Sequence, residues 1–227
     1  MTSPPTARVL SVNLAVVRPN PYKGDLTTGI DKRPADDAVH VRAPGTKQDG
    51  LGSGLVGDSI SDRRAHGGDD QAVYAYARED LDHWAGVLDR ELAGGLFGEN
   101  LTTLGLDVNG AMIGERWAIG PDLVLQITDP RIPCSTFRGV IGEPGWLKTF
   151  TAAAIPGAYL RVVTPGDVRS GDAITVVHRP THGVTVAMVF RAITREPELL
   201  PAILAAGDDL PRETRAMAED GRTFSLS

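Results

Sequence analysis

The sequence contains a single cysteine in 227 residues, and only 5% of its residues are aromatic. One cysteine excludes an intrachain disulfide and any metal site built on a pair of thiolates from this chain. There is also no apolar run near the roughly 20 residues that a membrane span needs. The chain does not start with a basic segment followed by an apolar one, as a secretory signal does. We therefore expect a cytoplasmic protein with a reduced thiol and no membrane partner.

Basic residues are also fewer than acidic ones. The 23 Lys and Arg residues are outnumbered by 29 Asp and Glu residues, which gives a net charge of −6. A surface of this sign repels phosphate backbones, so nucleic acid is not expected as a partner. The cations still suffice to line one local site for an anionic ligand. The hydrophobic fraction of 41% and the charged fraction of 23% are ordinary for a globular domain.

The first 180 residues have the pattern of a mostly β fold. Short β-branched stretches between turn residues predict strands at residues 9–17, 38–42, 72–76, 123–128, 158–163 and 173–178. One helix is predicted to begin at Arg78 and to end before Gly94, with its apolar side chains on one face. The glycine-rich residues 43–58 are predicted to form a mobile loop. This order favours a β-barrel or bent sheet with flanking helices.

The pattern becomes helical near the C-terminus. Three short helices are predicted at residues 186–194, 198–205 and 211–218. We therefore divide the chain into a β-rich domain at residues 1–182 and a small helical extension at residues 183–227. Because every candidate site motif precedes the extension, we expect its removal to leave the site intact.

Several common catalytic signatures are missing or out of place. Residues 52–57 match the Gly-x-Gly-x-x-Gly string of dinucleotide-binding folds, but no strand precedes them and no helix follows. The sequence has no nucleophile elbow of the kind found in serine hydrolases. Its five histidines are not accompanied by a pair of cysteines, so a classical zinc site is not expected.

Two polar segments have both a structural and a functional interpretation. His66 is followed by Gly67 and Gly68, which could form a tight turn or a nest of backbone N–H groups for an anion. Asn100 and Thr102 lie in a segment that could connect a helix to a strand or could contact a polar heterocycle. The residue types alone leave both pairs of alternatives open.

The single cysteine lies in the segment Asp-Pro-Arg-Ile-Pro-Cys at residues 129–134, directly after a predicted strand. Its two prolines take the chain out of the sheet into a rigid turn that displays Arg131 and Cys134. A lone cysteine is most often a small buried apolar residue. Next to a guanidinium, however, a thiol has a lowered pKa, and its thiolate is a soft metal ligand.

In their order and spacing these segments resemble the MOSC family, named for the C-terminal domain of molybdenum cofactor sulfurases, and its stand-alone bacterial YiiM-type members. The resemblance covers most of the chain and is carried by residues 9–13, 28–32, 57–58, 66–68, 72–76, 97–102 and 130–134. It implies a MOSC β-barrel with flanking helices, and the C-terminal helices likewise resemble the three-helix extension of this subgroup.

The resemblance also implies a cofactor and a set of site residues. The cofactor is molybdenum bound to molybdopterin, and the metal ligand and catalytic residue is Cys134. The implied cofactor-binding residues are Lys32, His66, Gly67, Gly68, Asn100, Thr102 and Arg131. Of these, the cations are suited to a phosphate and the amide of Asn100 to the edge of a pterin.

The activity implied by the resemblance is reduction of N-hydroxylated small molecules, such as hydroxylamino-purines. With one cysteine the chain has no iron–sulfur motif of its own, so the electrons are expected from a separate redox protein. One alternative is a carrier that binds the cofactor or handles sulfur without turnover. Another is a non-catalytic interaction protein whose helical extension docks a partner.

Overall fold

The computed structural model describes residues 7–24 and 26–224. The strands are β1 Arg8–Leu14, β2 Arg18–Pro19, β3 Thr27–Thr28, β4 Arg33–Pro34, β5 Val39–Val41, β6 Val73–Ala77, β7 Leu101–Leu104, β8 Arg116–Ile119, β9 Leu123–Pro130, β10 Ala158–Thr164, β11 Gly166–Val168 and β12 Ile174–His178. The α-helices are α1 Arg78–Leu88, α2 Ser135–Ile141, α3 Trp146–Ala153, α4 Val186–Thr194, α5 Leu200–Ile203 and α6 Arg212–Glu219. All six strands predicted from the sequence are present.

Eight strands form one mixed sheet in the order β12-β8-β9-β10-β6-β7-β1-β4. The pairing of β6 with β7 is parallel. The sheet confirms the predicted mostly β fold with flanking helices, although within the described ranges no ladder joins β12 to β1, so the barrel is not closed. At its C-terminal end β1 pairs with β4. At its N-terminal end β1 meets the start of β12 through an isolated bridge between Arg8 and Ala173, and the Ile174 N–H donates to the Ala7 carbonyl at 2.8 Å.

Two buried clusters cover the sheet and its helices. The larger contains the aliphatic residues of the sheet together with apolar residues of the C-terminal helices, including Val189, Ile203 and Leu210. The smaller is aromatic and includes Trp84 and Phe137. Because the C-terminal helices share the core of the sheet, removing them would expose part of that core, and the survival of the site after their removal stays a prediction.

The four predicted helices are present, with shifted ends in α1, α5 and α6. Helix α1 ends at Leu88, where Asp89 adopts a left-handed conformation (φ 49°) and its N–H bonds to the Ala85 carbonyl. This capping ends the helix before the glycine pair that the sequence favoured as its stop. Helix α4 has its predicted bounds. No helix in the described part of the chain combines the length and apolar character needed to cross a membrane.

The glycine-rich stretch differs from its prediction as a mobile loop. In its second half the Gly54 N–H donates to the Ala72 carbonyl at 2.7 Å, and the Arg42 N–H donates to the Gly54 carbonyl at 2.9 Å. A Cβ at Gly54 would lie 2.8 Å from the Ala72 oxygen. Glycine is therefore needed here for close packing against the chain before β6, which fixes the residues leading to Asp58.

Candidate functional site

A cleft brings together most of the predicted site residues. Its lining includes Lys32, His66, Gly67, Asn100, Arg131 and Cys134. The cleft has a cavity volume of about 160 Å³ for a water-sized sphere and is open to solvent at its mouth. The predicted residues Gly68 and Thr102 are buried but are not part of this lining.

Cys134 lies where the chain leaves β9 and begins helix α2. Its backbone is extended, and its carbonyl accepts a hydrogen bond from the Arg138 N–H at 3.0 Å. Burial alone would raise the pKa of the thiol, but a hydrogen bond from His66 and the charge of Arg131 outweigh it and lower the pKa to about 6. The half-buried side chain is therefore mostly thiolate at neutral pH, which is the form that binds soft metals.

Arg131 is a buried cation with unused hydrogen-bonding capacity. Its guanidinium carbon lies 3.8 Å from the centre of the Phe137 ring and 5.7 Å from that of Tyr74. The Nη1 atom is buried without a hydrogen-bond partner among the described residues. Aromatic faces attract a cation but do not replace the hydrogen bonds that it loses on burial. Arg131 can therefore still bind an anion.

Lys32 is paired with a carboxylate. Its ammonium forms a buried ion pair with Asp58. The other oxygen of Asp58 accepts hydrogen bonds from the Ser53 hydroxyl at 2.7 Å and from Asn100 Nδ2 at 2.9 Å. Burial alone would raise the pKa of Asp58, but Lys32 and these hydrogen bonds lower it below its ordinary value. The Lys32–Asp58 pair therefore adds little net charge to the cleft.

A second lysine of the cleft is paired in the same way. Lys23 Nζ lies 2.7 Å from Asp62 Oδ2, and both residues belong to the lining. Among the lysine and arginine residues that line the cleft in the described ranges, Arg131 is therefore the one without a carboxylate partner.

Asn100 and Thr102 belong to a buried hydrogen-bond network. Asn100 Nδ2 donates to Asp58 and, at 3.3 Å, to the Asn13 carbonyl. Behind it, the Thr102 hydroxyl accepts from Asn13 Nδ2 at 3.0 Å and donates to Glu99 Oε1 at 3.0 Å. The amide of Asn100 therefore holds the Asp58 carboxylate in place, and Thr102 supports the same region from behind.

The two glycines after His66 form a tight turn. This was one of the two alternatives that the residue types left open, the other being an anion-binding nest. Gly67 and Gly68 have φ values of 90° and 84°. Their N–H groups donate to Gln71 Oε1 at 3.1 Å and to the Gly52 carbonyl at 3.1 Å. These donors are already used within the protein. Their assignment as cofactor-binding residues stays a prediction. In the structure they pack within the protein and form the turn that follows His66, which lines the cleft with Cys134.

No three His, Cys, Asp or Glu side chains converge as ligands for a metal ion among the residues that the structure describes. Because the sequence has one cysteine, the cleft contains a single thiolate, that of Cys134.

The sequence matches a family model of the MOSC domain over residues 62–175. The chain belongs to the MOSC family. Among its relatives, the uncharacterized protein YflK of Bacillus subtilis (strain 168) is 32% identical over 196 residues, which are 86% of this chain and 84% of YflK. A protein of Gibberella moniliformis named Reductase is 27% identical over 194 residues. That match covers 84% of this chain and 33% of the fungal protein.

The fold is that of a solved MOSC-type structure. The crystal structure of YiiM from Geobacillus stearothermophilus superimposes with a TM-score of 0.73 at 22% identity and covers 95% of this chain and 98% of that one. At this identity the likeness shows the fold alone. MOSC domains are associated as a family with the molybdenum cofactor.

One residue of this MOSC cleft was missed as a site residue. Asp58 was noted only within a motif of the resemblance, although it joins Lys32 and Asn100 in the cleft wall. The sequence signal that could have pointed to Asp58 was the glycine before it. Gly57 has a φ of 89°, which favours glycine and turns the chain just before Asp58. No local pattern could connect Asp58 with Lys32, which is 26 residues away.

Proposed function

We propose that the protein binds the pterin-based molybdenum cofactor in this cleft through Cys134 and reduces N-hydroxylated compounds such as hydroxylamino-purines. The observation that carries the proposal is the buried Arg131 guanidinium, free of a carboxylate partner among the described residues, next to a thiol whose pKa is lowered to about 6. Membership of the MOSC family and the name of the fungal relative support the general class of activity. The substrate class rests on the family resemblance.

The residues of the cleft fit this cofactor chemically. A thiolate is the soft ligand that molybdenum in a sulfur-rich setting takes. The planar guanidinium of Arg131 can donate two parallel hydrogen bonds to the phosphate of the cofactor, which would also satisfy the buried Nη1 atom. Asp58 does not oppose an anionic ligand, because Lys32 neutralises its charge.

The other predicted residues are proposed to shape the pocket. Lys32 would line the cofactor with its charge balanced by Asp58, and Asn100 would hold that carboxylate at a fixed position. His66 would stabilise the thiolate of Cys134 for ligation. Thr102 lies behind this wall, so we propose that it acts by positioning.

The proposed reaction is a two-electron reduction. The N-hydroxyl group takes up two electrons and two protons, the N–O bond breaks, and the products are the amine and water. When bound, the cofactor supplies a metal that changes oxidation state by two and has affinity for oxygen. The protein residues orient the cofactor and the substrate. A separate redox protein supplies the electrons, because one cysteine cannot hold an iron–sulfur cluster.

The proposal is tested with protein purified from a host that makes the cofactor, with protein from a cofactor-deficient host as the control. We expect molybdenum and pterin to copurify with the first preparation, and that preparation to convert a hydroxylamino-purine to the amino-purine with a reduced viologen dye as electron donor. Molybdenum and pterin in stoichiometric amounts, without turnover of any N-hydroxylated compound, would instead indicate a carrier.

A further inference from the structure

A shallow depression adjoins the mouth of the cleft. It is lined by Leu26, Gln48, Ser61, Asp62, Arg63 and Arg64. Leu26, Ser61 and Asp62 also line the cleft, so the two spaces adjoin each other.

Arg64 contributes an almost free positive charge to this depression. Its side chain is 87% exposed, and its Nε lies 3.8 Å from Asp62 Oδ1, which is too long for a hydrogen bond. The Asp62 carboxylate is held more closely by Lys23 at 2.7 Å. The charge of Asp62 is thus largely balanced by Lys23, and Arg64 is left available to a ligand.

Arg63 adds a second positive charge without a carboxylate partner in the described ranges. Its guanidinium donates to the backbone carbonyls of Gln48, at 3.2 Å, and of Gly50. These contacts fix the position of the side chain but do not neutralise it. Two adjacent arginines therefore create a local excess of positive charge in a protein whose net charge is −6.

Ser61 offers a further hydrogen bond at the boundary between the two spaces. Its hydroxyl oxygen is buried and has no partner in the part of the chain that the structure describes. A hydroxyl can donate to a phosphate oxygen, and a bound phosphate would satisfy this atom.

The arginines are close to the reactive thiol along the chain. The N–H groups of Ala65 and His66 both donate to the Asp62 carbonyl, at 3.2 and 3.0 Å, so residues 62–66 form a compact turn. His66 in this turn lines the cleft together with Cys134. Three residues span at most about 11 Å, so the Cα atoms of Arg63 and His66 lie within that distance. A nucleoside monophosphate has this order of length from its base to its phosphate.

We propose that the depression is a subsite for a phosphate monoester, so that N-hydroxylated nucleotides are better substrates than the free bases. The inference rests on the proposed function for the chemistry at Cys134. The phosphate is recognised by Arg63, Arg64 and Ser61, through the charge-assisted hydrogen bonds that guanidinium groups make with phosphate. Arg131, deeper in the cleft, takes the phosphate of the cofactor.

Binding to the cofactor-free protein tests the subsite separately from turnover. Adenosine 5′-monophosphate and adenosine are titrated calorimetrically into the parent at low salt. We expect the monophosphate to bind about tenfold more tightly, with the difference shrinking as salt is added. Arg64→Gln should reduce the difference, because one of the two arginines is lost, and should leave adenosine binding unchanged. Arg169→Gln is the matched control, because Arg169 is also exposed and its Nε lies 3.7 Å from Asp172.

Two results would overturn the subsite: equal binding of the two compounds to the parent, or an undiminished phosphate preference in Arg64→Gln. If Arg64→Gln with an undiminished preference also loses bound pterin, the arginine belongs to the cofactor site.

Turnover separates the subsite from the proposed function. Reduction of hydroxylamino-purine base and nucleotide with equal kcat/KM supports the reductase and contradicts the subsite. A phosphate preference diminished in Arg64→Gln, in a molybdenum-loaded protein that reduces neither compound, supports the subsite and contradicts the reductase.

Discussion

The guanidinium carbon of Arg131 lies 3.8 Å above the centre of the Phe137 ring. This contact orients a cation that is 5% exposed and that has one nitrogen without a hydrogen-bond partner among the described residues. A buried and poorly paired charge lowers the stability of the cofactor-free protein. The same charge is ready to bind an anion. Stability and cofactor binding should therefore respond in opposite directions when it is removed.

We expect Arg131→Met to lose the cofactor while the cofactor-free protein becomes no less stable, because the long apolar side chain still packs against Phe137. Arg131→Lys keeps the charge but loses the two-pronged geometry, so its cofactor affinity should fall by about 1–3 kcal/mol. Cofactor retention after dialysis and thermal melts of the cofactor-free proteins measure both effects. A lower melting temperature for Arg131→Met, with full cofactor retention, would mean that the residue has a packing role only.

The thiol of Cys134 should react as a thiolate near neutral pH. In the cofactor-free protein we expect the rate of iodoacetamide labelling to rise with pH about a midpoint near 6, because hydrogen bonding from His66 and the charge of Arg131 favour the ionised form. His66→Ala should move the midpoint towards the ordinary cysteine value of about 8.5. His83→Ala, on the exposed surface of helix α1, is the control. A midpoint near 8.5 in the parent would show that the thiol is not activated.

Six of the eight residues that the resemblance implied as site residues line the cleft, but their pairing was not predicted. The two prolines around Arg131 and Cys134 predict a turn that displays both side chains, while their role in the site rests on the resemblance. The Lys32–Asp58 ion pair could not be found, because it depends on the path of the glycine-rich stretch between the two residues. That stretch is fixed by backbone contacts with a distant segment, and composition alone made it look mobile.

The same distinction holds for the fold. Six of the twelve strands that the structure describes and helix α1 were predictable because their side chains repeat at a local period, and the six other strands, each of two to four residues, were missed. Helices α2 and α3 were missed, since they are short and their buried residues Phe137 and Trp146 pack in an aromatic cluster assembled from several parts of the chain. The boundary at residues 182 and 183 marks a change of pattern, but Val189 and Ile203 beyond it pack in the core of the sheet.

Breaking the Lys32–Asp58 pair should be costly. Asp58→Asn leaves a buried ammonium without its counterion, and we expect the free energy of unfolding at pH 7 to fall by about 3–5 kcal/mol. The double variant Lys32→Met/Asp58→Leu should recover part of this loss. Because the pKa of folded Asp58 is lowered, its contribution is complete above the ordinary carboxyl pKa of about 3.9 and is lost as the pH falls through its lower folded value.

Urea unfolding of the cofactor-free proteins at pH 7 and at successively lower pH measures the contribution of this pair. The parent should lose its advantage over Asp58→Asn on acidification. A stability difference below 1 kcal/mol at pH 7 would show that the pair is not effectively buried, in conflict with the 1% exposure of the Asp58 side chain.

Asp129 should have the opposite pH dependence. Burial raises its pKa to about 7, while Thr214 in helix α6 donates a hydrogen bond to its Oδ2 at 2.7 Å. A raised carboxyl pKa stabilises the fold at pH values below the unfolded pKa, and this contribution is lost as the pH rises towards 7. Asp129→Asn, which mimics the neutral acid, should therefore be more stable than the parent at pH 8, by about 1–3 kcal/mol. The gain should shrink towards pH 4, and an equal gain at both pH values would contradict the assignment.

The most direct test of the account is the number of sulfur ligands on the bound metal. Protein from a cofactor-producing host is compared with Cys134→Ser by X-ray absorption at the molybdenum edge, with the pterin content of each sample measured in parallel. We expect the parent to show one more Mo–S contact per metal than Cys134→Ser, and we expect the variant to release its metal more readily on dialysis. An identical sulfur count and identical metal retention in the two proteins would contradict Cys134 as the ligand.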